Sequence, residues 1–494
     1  MLENLKNYLS NQPLKKHIPQ KDFLGLISTG DKYAVASKGW WLTLEGAWLW
    51  NIKDYIDRTW MEKYTVLPDL EEMMSKMTFS SAPNNNKRRK LNVLPKGKEV
   101  TEAFSADPMR CGGCGAKVGT TTVSRTLSAV HKRQIQRAKT LQIPTPPPID
   151  HDDAAIIPLP KRGGGAIVQT IDYFRSLLDD PFTFGKIVAV HSLSDVHAMG
   201  ATAQSALALA VVPFAADEAI TESLLIHLLS GVSDIIQAEG VQLVGGHTCE
   251  GLELACGLSV QGYTENPTKL LRKRGGRVGD KIVLTKPLGT GALFAADMRA
   301  QCRGEYVAEA IESMVQSNAP ASRIAMESLG VRSCTDCTGF GLMGHLLEML
   351  MANETPDAEQ EGLESIGAVL RIHDMEFLKG GLEASSNGIY STLQPANQRS
   401  RRAVINHSEA AKAYPVEYPL LFDPQTAGGL IFFVDPKDCE RFVSKLREVH
   451  PSTAVVGELT KYPENEAVAA EIADGVCPIG GGGASTGLRV RIES

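Results

Sequence analysis

From residue 166 onward the chain alternates short apolar runs with longer amphipathic stretches, and this alternation restricts the fold to mixed sheet and helix. "AIVQTI" (166–171) reads as a strand, "GKIVAVHSLSDVHAMG" (185–200) as a helix and "SALALAVVP" (205–213) as a strand. "EAITESLLIHLLSGVSDIIQAEG" (218–240) reads as a long helix closing on glycine, followed by strands in "VQLVGG" and "LACGLSVQG". "RKRGGRVGD" (272–280) is a charged, glycine-rich joint, and "KIVLTKPLGTG" (281–291) opens a second alternation that runs to "LRVRIE". It predicts helices near 306–329 and 341–352 and strands near 367 and 429. The expected fold class is α+β, in two domains spanning 106–268 and 269–494.

The first hundred residues differ in kind. All five tryptophans (40, 41, 48, 50, 60) lie within residues 1–65, marking a separate unit. Residues 66–105, with "SSAPNNNKRRKLNVLPKGK", have linker composition, and the basic run "KRRK" reads as part of that solvated linker. A net charge of −6 provides no overall positive field for nucleic acid or an anionic membrane. Nine cysteines, an odd number thinly spread over 494 residues, are no disulfide framework and point to a reducing, cytoplasmic setting. The uncharged stretch 196–216 is broken by Gly200, Gln204, Ser205 and Pro213, so no membrane span is expected, and the N-terminus lacks the apolar core of a signal peptide.

Several aspartates sit where strands end or helices begin. "IDHDDAAI" supplies Asp150, Asp152 and Asp153 before an apolar run. "QTIDYF" is expected to place Asp172 at a strand end, "SLSDVHAMG" puts Asp195 on a helix, and "SCTDCTGFG" is expected to put Asp336 in a glycine-flanked turn. One such residue is ordinarily a cap or turn former. Several in similar settings suggest carboxylates gathered in one pocket, which repel unless cations neutralise them. Oxygen-only ligands suit Mg²⁺ together with substrate phosphates. The glycine-rich segments "VGGHT" (244–248) and "TGFGLMGH" (338–345) are expected as turns offering backbone N–H groups to phosphate.

"RCGGCGAKVG" (110–119) admits four readings. A phosphate loop fails because Lys117 follows Ala116 and precedes Val118. A zinc site would pair Cys111 and Cys114 with Cys334 and Cys337, more than 200 residues away, with Asp336 inside the second pair. A redox pair needs a rigid helix N-terminus, against which the glycines argue. The fourth is a mobile arm carrying the Cys114 thiol and the Lys117 ammonium, able to fold over a nucleotide.

Together these motifs give a resemblance. "CGGCGAK", "DDAAI", "QTIDYFRSLLDDPFTFGKI", "SDVHAMGA", "VGGHT", "LTKPLGTG", "TDCTGFGLMGHLLEM" and "FDPQTAGGL", in this order, resemble the selenophosphate synthetase (selenide, water dikinase) family. The resemblance implies the two-domain aminoimidazole ribonucleotide synthetase-like fold, preceded here by a short Trp-rich remnant and a linker. It also implies a homodimer formed through the first domain's strands, and the reaction ATP + selenide + water → selenophosphate + AMP + phosphate, requiring Mg²⁺. By the same resemblance Cys114 and Lys117 are the catalytic pair, and Asp153, Asp195 and Asp336 hold the metal. Lys117, Asp150, His151, Asp152, Asp172, Asp195, Gly246, His247 and Thr248 are expected to contact the nucleotide. A selenium-delivery protein is a further expected partner. His191 stands where family members often carry asparagine.

Residues 1–65, through "FLGLISTGDKYAVASKGWWLTLEGAWLWNIKDYIDRTWMEKY", resemble instead the C-terminal end of a pyridine-nucleotide-disulfide-type flavoprotein, similar to type II NADH dehydrogenases. That family's nucleotide-binding fingerprint is missing from them, so no bound FAD or NAD is expected in this chain. The segment is read as a remnant: the trace of a truncated product or gene model, or a docking tail whose Trp-rich helix packs on its own missing domain or lies at a membrane surface.

Overall fold

The structure, a computed structural model, describes residues 24–30, 33–38, 42–55, 112–116, 152–159, 165–214, 218–461 and 489–494, with isolated positions between 132 and 140. The chain forms two compact units, Met1–Pro95 and Lys96–Ser494.

In the first unit β1 (Leu24–Gly30), β2 (Tyr33–Lys38) and β3 (Leu42–Gly46) form an antiparallel meander. A helix, α1 (residues 47–55), follows. Ala36 and Leu49 are buried with Trp50 packed against them, while Trp48 is 53% exposed.

Among its described residues the second unit contains two sheets. The first has the order β4-β5-β8-β6-β7. Its strands are β4 (Ala155–Pro158), β5 (Ala166–Arg175), β6 (Thr202–Pro213), β7 (Gln242–Gly251) and β8 (Ala255–Thr264). All neighbours are antiparallel except β6 and β7. Among the described residues, α2 (Pro181–Ala198) and α3 (Glu218–Ala238) accompany this sheet. In α2 the side chain of Asp180 caps the first turn and Pro181 starts it. Its sequence is apolar nearly all round because it packs on β5, β8 and α3 and also touches the second sheet. α3 is long and apolar enough to cross a membrane by length and composition. Here it packs against α2, burying Leu228, Val232 and Ile236.

The second sheet has the order β10-β12-β9-β13-β11-β14. Its strands are β9 (Lys281–Leu284), β10 (Val331–Asp336), β11 (Ile366–Arg371), β12 (Leu430–Val434), β13 (Ala454–Lys461) and β14 (Val490–Glu493). β12, "LIFFV", is buried at every position, and such continuous apolarity is what a central strand covered on both faces requires. α4 (Gly341–Ala352) packs beside β10.

Three local expectations change. β5 runs on to Arg175, so Asp172 lies inside the strand, opposite Leu258 of β8. "VGGHT" is part of strand β7: a side chain at Gly246 would come within 2.0 Å of Ala208 O, so this glycine permits close strand approach and forms no turn. Asp336 is the last residue of β10, paired with Leu430, because strand pairing with β12 carries through to it before the glycines begin.

Candidate active site

The acidic cluster is assembled at the seam between the two sheets. Asp153 precedes β4, Asp195 lies in the last turn-and-a-half of α2, and Asp336 ends β10. One carboxylate oxygen from each lies within 4.8 Å of the other two. Hydroxyls steady two of them: Thr170 Oγ1 on β5 donates to Asp195 at 2.5 Å, and Thr335 Oγ1 on β10 donates to Asp153 at 2.8 Å.

Like charges at this spacing in a buried site are costly. Burial, with the charges of Asp336, Asp172 and Asp153, holds Asp195 well above the usual carboxylate range. Burial, opposed by the Lys273 ammonium and aided by Asp336, pushes Asp153 up to about 6. Lys273 Nζ lies 2.9 Å from Asp153 and 2.8 Å from Glu348 of α4. Burial alone would depress Lys273, but these two carboxylates hold it well above its ordinary value. Glu348 shows the complement: burial would raise it, but Lys273 and His345 hold it at about 2. Three oxygen donors with surplus negative charge, and one ammonium already shared with Glu348, fit a hard divalent cation such as Mg²⁺.

The segment around Cys114 lies close by. Residues Gly113–Ala116 form a single 3₁₀ turn, so the glycine-rich arm has regular local structure. Cys114 is fully buried, and its N–H donates to Thr426 Oγ1 at 3.0 Å. A side chain on Gly112 would strike Ser176 O at 2.2 Å, and one on Gly113 would strike Thr426 Oγ1 at 2.6 Å. The glycines therefore let the arm dock between the end of β5 and the 423–427 loop. Cys114 Sγ lies 3.6 Å from His191 Nε2, which is itself 3.7 Å from Asp172 Oδ1. The other ring nitrogen, Nδ1, accepts the N–H of Ala427 at 3.0 Å. Ala427 has φ +52°, a left-handed conformation that costs a non-glycine residue about 1–2 kcal/mol, so the loop holds strain where it meets both His191 and Cys114.

The zinc pairing fails among the described residues. Cys334 packs with Phe432 and Ala198, whereas Cys337 packs with Leu342 and Phe422 in a different apolar cluster. Burial and neighbouring carboxylates push both thiols well up, away from the thiolate form a metal would need.

The remaining expected residues fall unevenly. Asp152 is held by Arg272 Nη1 at 2.6 Å and by the Lys273 N–H at 3.2 Å. Gly246, His247 and Thr248 lie on exposed β7. Gly246 pairs with Ala208, then Leu258, then Asp172, three strand spacings or about 14 Å away. Lys117, Asp150 and His151 lie outside the described residues. Sequence reasoning missed Thr170, Thr335, Lys273, Glu348 and the placement of His191. Thr170, Thr335 and Glu348 lie inside motifs read for their neighbours, and Lys273 inside a joint read for its charge and glycine.

The chain that brings these aspartates together at the seam of two sheets is of the AIR synthase-related class. The N-terminal domain of AIR synthase related proteins matches residues 151–264, and their C-terminal domain matches 277–469. The chain is 36% identical over 299 residues to a selenide, water dikinase of Pelobacter propionicus, covering 60% of this chain and 81% of that protein. It is 32% identical over 351 residues to the selenide, water dikinase of Agathobacter rectalis, covering 71% and 94%. The chain belongs to the selenide, water dikinase family and is an enzyme. A solved structure described as AaThiL complexed with AMPPCP and TMP aligns at a TM-score of 0.46 and 14% identity, over 66% of this chain and 89% of that one.

Proposed function

We propose that the chain makes selenophosphate from ATP, selenide and water, releasing AMP and phosphate, with Cys114 and Lys117 attending the selenide and Asp153, Asp195 and Asp336 holding Mg²⁺. The observation that carries this reading is the convergence of three carboxylates from separate elements on one point, beside a buried cysteine. Phosphoryl transfer needs charge neutralisation and alignment more than covalent help, and Mg²⁺ on these oxygens would supply the neutralisation. Thr170 and Thr335 fix the carboxylate orientations, and Lys273 offsets part of the charge on Asp153. The 423–427 loop orients Cys114 toward the interior, away from water and oxidants. Asp150, His151, Asp152, Asp172 and Gly246–Thr248 are the proposed nucleotide contacts.

The bare face of the first sheet supports a homodimer. Ile171 is 64% exposed, Val244 58% and Leu207 47%, and a second copy would cover this face. We further read 106–268 and 269–494 as the two catalytic domains, 66–105 as a linker and 1–65 as a separate unit resembling the C-terminal end of a pyridine-nucleotide-disulfide-type oxidoreductase. A selenium-delivery protein as donor and a cytoplasmic location complete the reading. The test is AMP formation from ATP and Mg²⁺ under anaerobic conditions, with and without selenide. Selenide-dependent AMP release, lost in Cys114→Ala, is the expected result. AMP release indifferent to both would overturn the reading.

A further inference from the structure

His191 is buried to 1% exposure on α2, and every polar atom of its ring faces a named group. A peptide N–H can only donate, so the Ala427 N–H at 3.0 Å requires a lone pair on Nδ1. In the neutral ring the proton then resides on Nε2, and a second proton would have to displace the Ala427 N–H from Nδ1. Nε2 is therefore a hydrogen-bond donor, and it faces Cys114 Sγ at 3.6 Å and Asp172 Oδ1 at 3.7 Å. Phe174 meets the imidazole edge-on, with centroids 5.1 Å apart and planes at 82°, which fixes the ring's rotation. The loop that sets the tautomer also receives the Cys114 N–H at Thr426, and the Thr426 N–H is itself anchored on Thr290 Oγ1 at 3.0 Å.

This geometry excludes one role and favours another. With Nδ1 committed to Ala427 and Nε2 protonated, His191 has no lone pair with which to take the thiol proton, so it does not act as a general base toward Cys114. A fixed N–H aimed at sulfur stabilises negative charge there, on the thiolate or on a hydroselenide anion seated beside it. The Asp172 carboxylate lies 3.7 Å from the same nitrogen, so the chalcogen anion shares this fixed N–H with it.

We propose that His191 is a positioning residue for selenide, presenting one backbone-fixed Nε2–H to the anionic chalcogen at Cys114. The inference rests on the reading of Cys114 as the selenide-handling residue. It requires no change of oxidation state: selenium is held here as the anion, leaves bonded to the phosphoryl group that ATP gives up, and the histidine keeps its proton.

The test compares steady-state AMP formation for wild type, Cys114→Ala, His191→Gln, which retains an amide donor, and His191→Leu, which has none. Losing a hydrogen bond to a charged group corresponds to about a ten- to hundredfold effect. His191→Leu is expected to raise the KM for selenide by about that factor with the KM for ATP unchanged, and His191→Gln to recover most of it. Equal changes in both KM values, or a Gln variant as impaired as Leu, would overturn the inference while Cys114→Ala remained inactive. Wild-type, selenide-dependent turnover in Cys114→Ala would instead overturn the underlying reading. Should His191→Leu fail to fold, ¹⁵N-histidine spectra of wild type against His191→Gln decide the matter. A protonated Nε2 with bare Nδ1 supports the assignment, and a proton on Nδ1, in the opposite tautomer or the imidazolium, overturns it.

Discussion

Two groups of carboxylates lie at the seam, equally buried and sharing one lysine, yet their acidities diverge. Glu348 faces Lys273 and His345 and is held at about 2; Asp153 faces Lys273 too, but also Asp336, and is pushed up to about 6. Burial raises both, so the difference comes from the company each keeps. Glu348 belongs to a satisfied internal ion pair that ties α4 to the 272–275 joint. Asp153 and Asp195 belong to a set whose charge the protein leaves largely uncompensated, and such a set is arranged for a cation from outside.

The largest effect that would break this contrast is on turnover. Asp336→Asn should lower selenide-dependent AMP formation by about 10³-fold or more, since several kcal/mol of charge stabilisation are lost, while the metal-free protein melts no lower than wild type at pH 7. Turnover within tenfold of wild type would remove Asp336 from the cation set. Next is stability. Lys273→Met strips the ammonium from buried Glu348, leaving it His345 at 3.4 Å, and should cost about 3–5 kcal/mol in urea unfolding. Adding Glu348→Gln should restore most of it, and a single-variant loss below about 1 kcal/mol would show that Glu348 is held by something else.

The pH dependences run in opposite senses and sharpen the comparison further. Asp153 has a folded pKa of about 6, above its ordinary 3.8, so the folded state holds the extra proton. Its contribution to metal-free stability is present below 3.8 and lost as pH rises through about 6. Glu348, at about 2 against an ordinary 4.5, contributes above 4.5 and loses its contribution as pH falls through about 2. Melting curves from pH 3 to 8 should lose the first limb in Asp153→Asn and the second in Glu348→Gln. Protons also compete for the metal oxygens, so Mg²⁺ affinity measured by calorimetry should weaken as pH falls through about 6. An affinity flat from pH 7.5 to 5.5 would contradict the assignment. The smallest change is Thr170→Val, which frees Asp195 to rotate and should weaken Mg²⁺ by about tenfold or less.

Much of this was readable from residues alone, for identifiable reasons. β12 and the apolar α2 announce themselves because strands and helices buried on all sides need continuous apolar sequence, and Asp153, Asp195 and Asp336 stand out as charges among small or apolar neighbours. The strand character of "VGGHT" was hidden because Gly246 answers to the Ala208 backbone of β6, which one chain segment cannot reveal. Lys273 was hidden for a similar reason. Its partners lie 120 residues upstream and 75 downstream, so local sequence shows only another basic residue in a loop. His191 looked like a departure from family pattern until Ala427 supplied the partner that gives its ring a direction.

The Cys114 N–H reaches Thr426 across 312 residues of chain, which has a consequence during synthesis. At ribosomal rates of about 5–20 residues per second, the arm emerges about 15–60 s before the loop that buries it. For that interval the thiol is open to peroxide and to other thiols, on a nascent chain whose second sheet does not yet exist. The step most sensitive to oxidative conditions is therefore translation itself, and the finished fold is what closes the window.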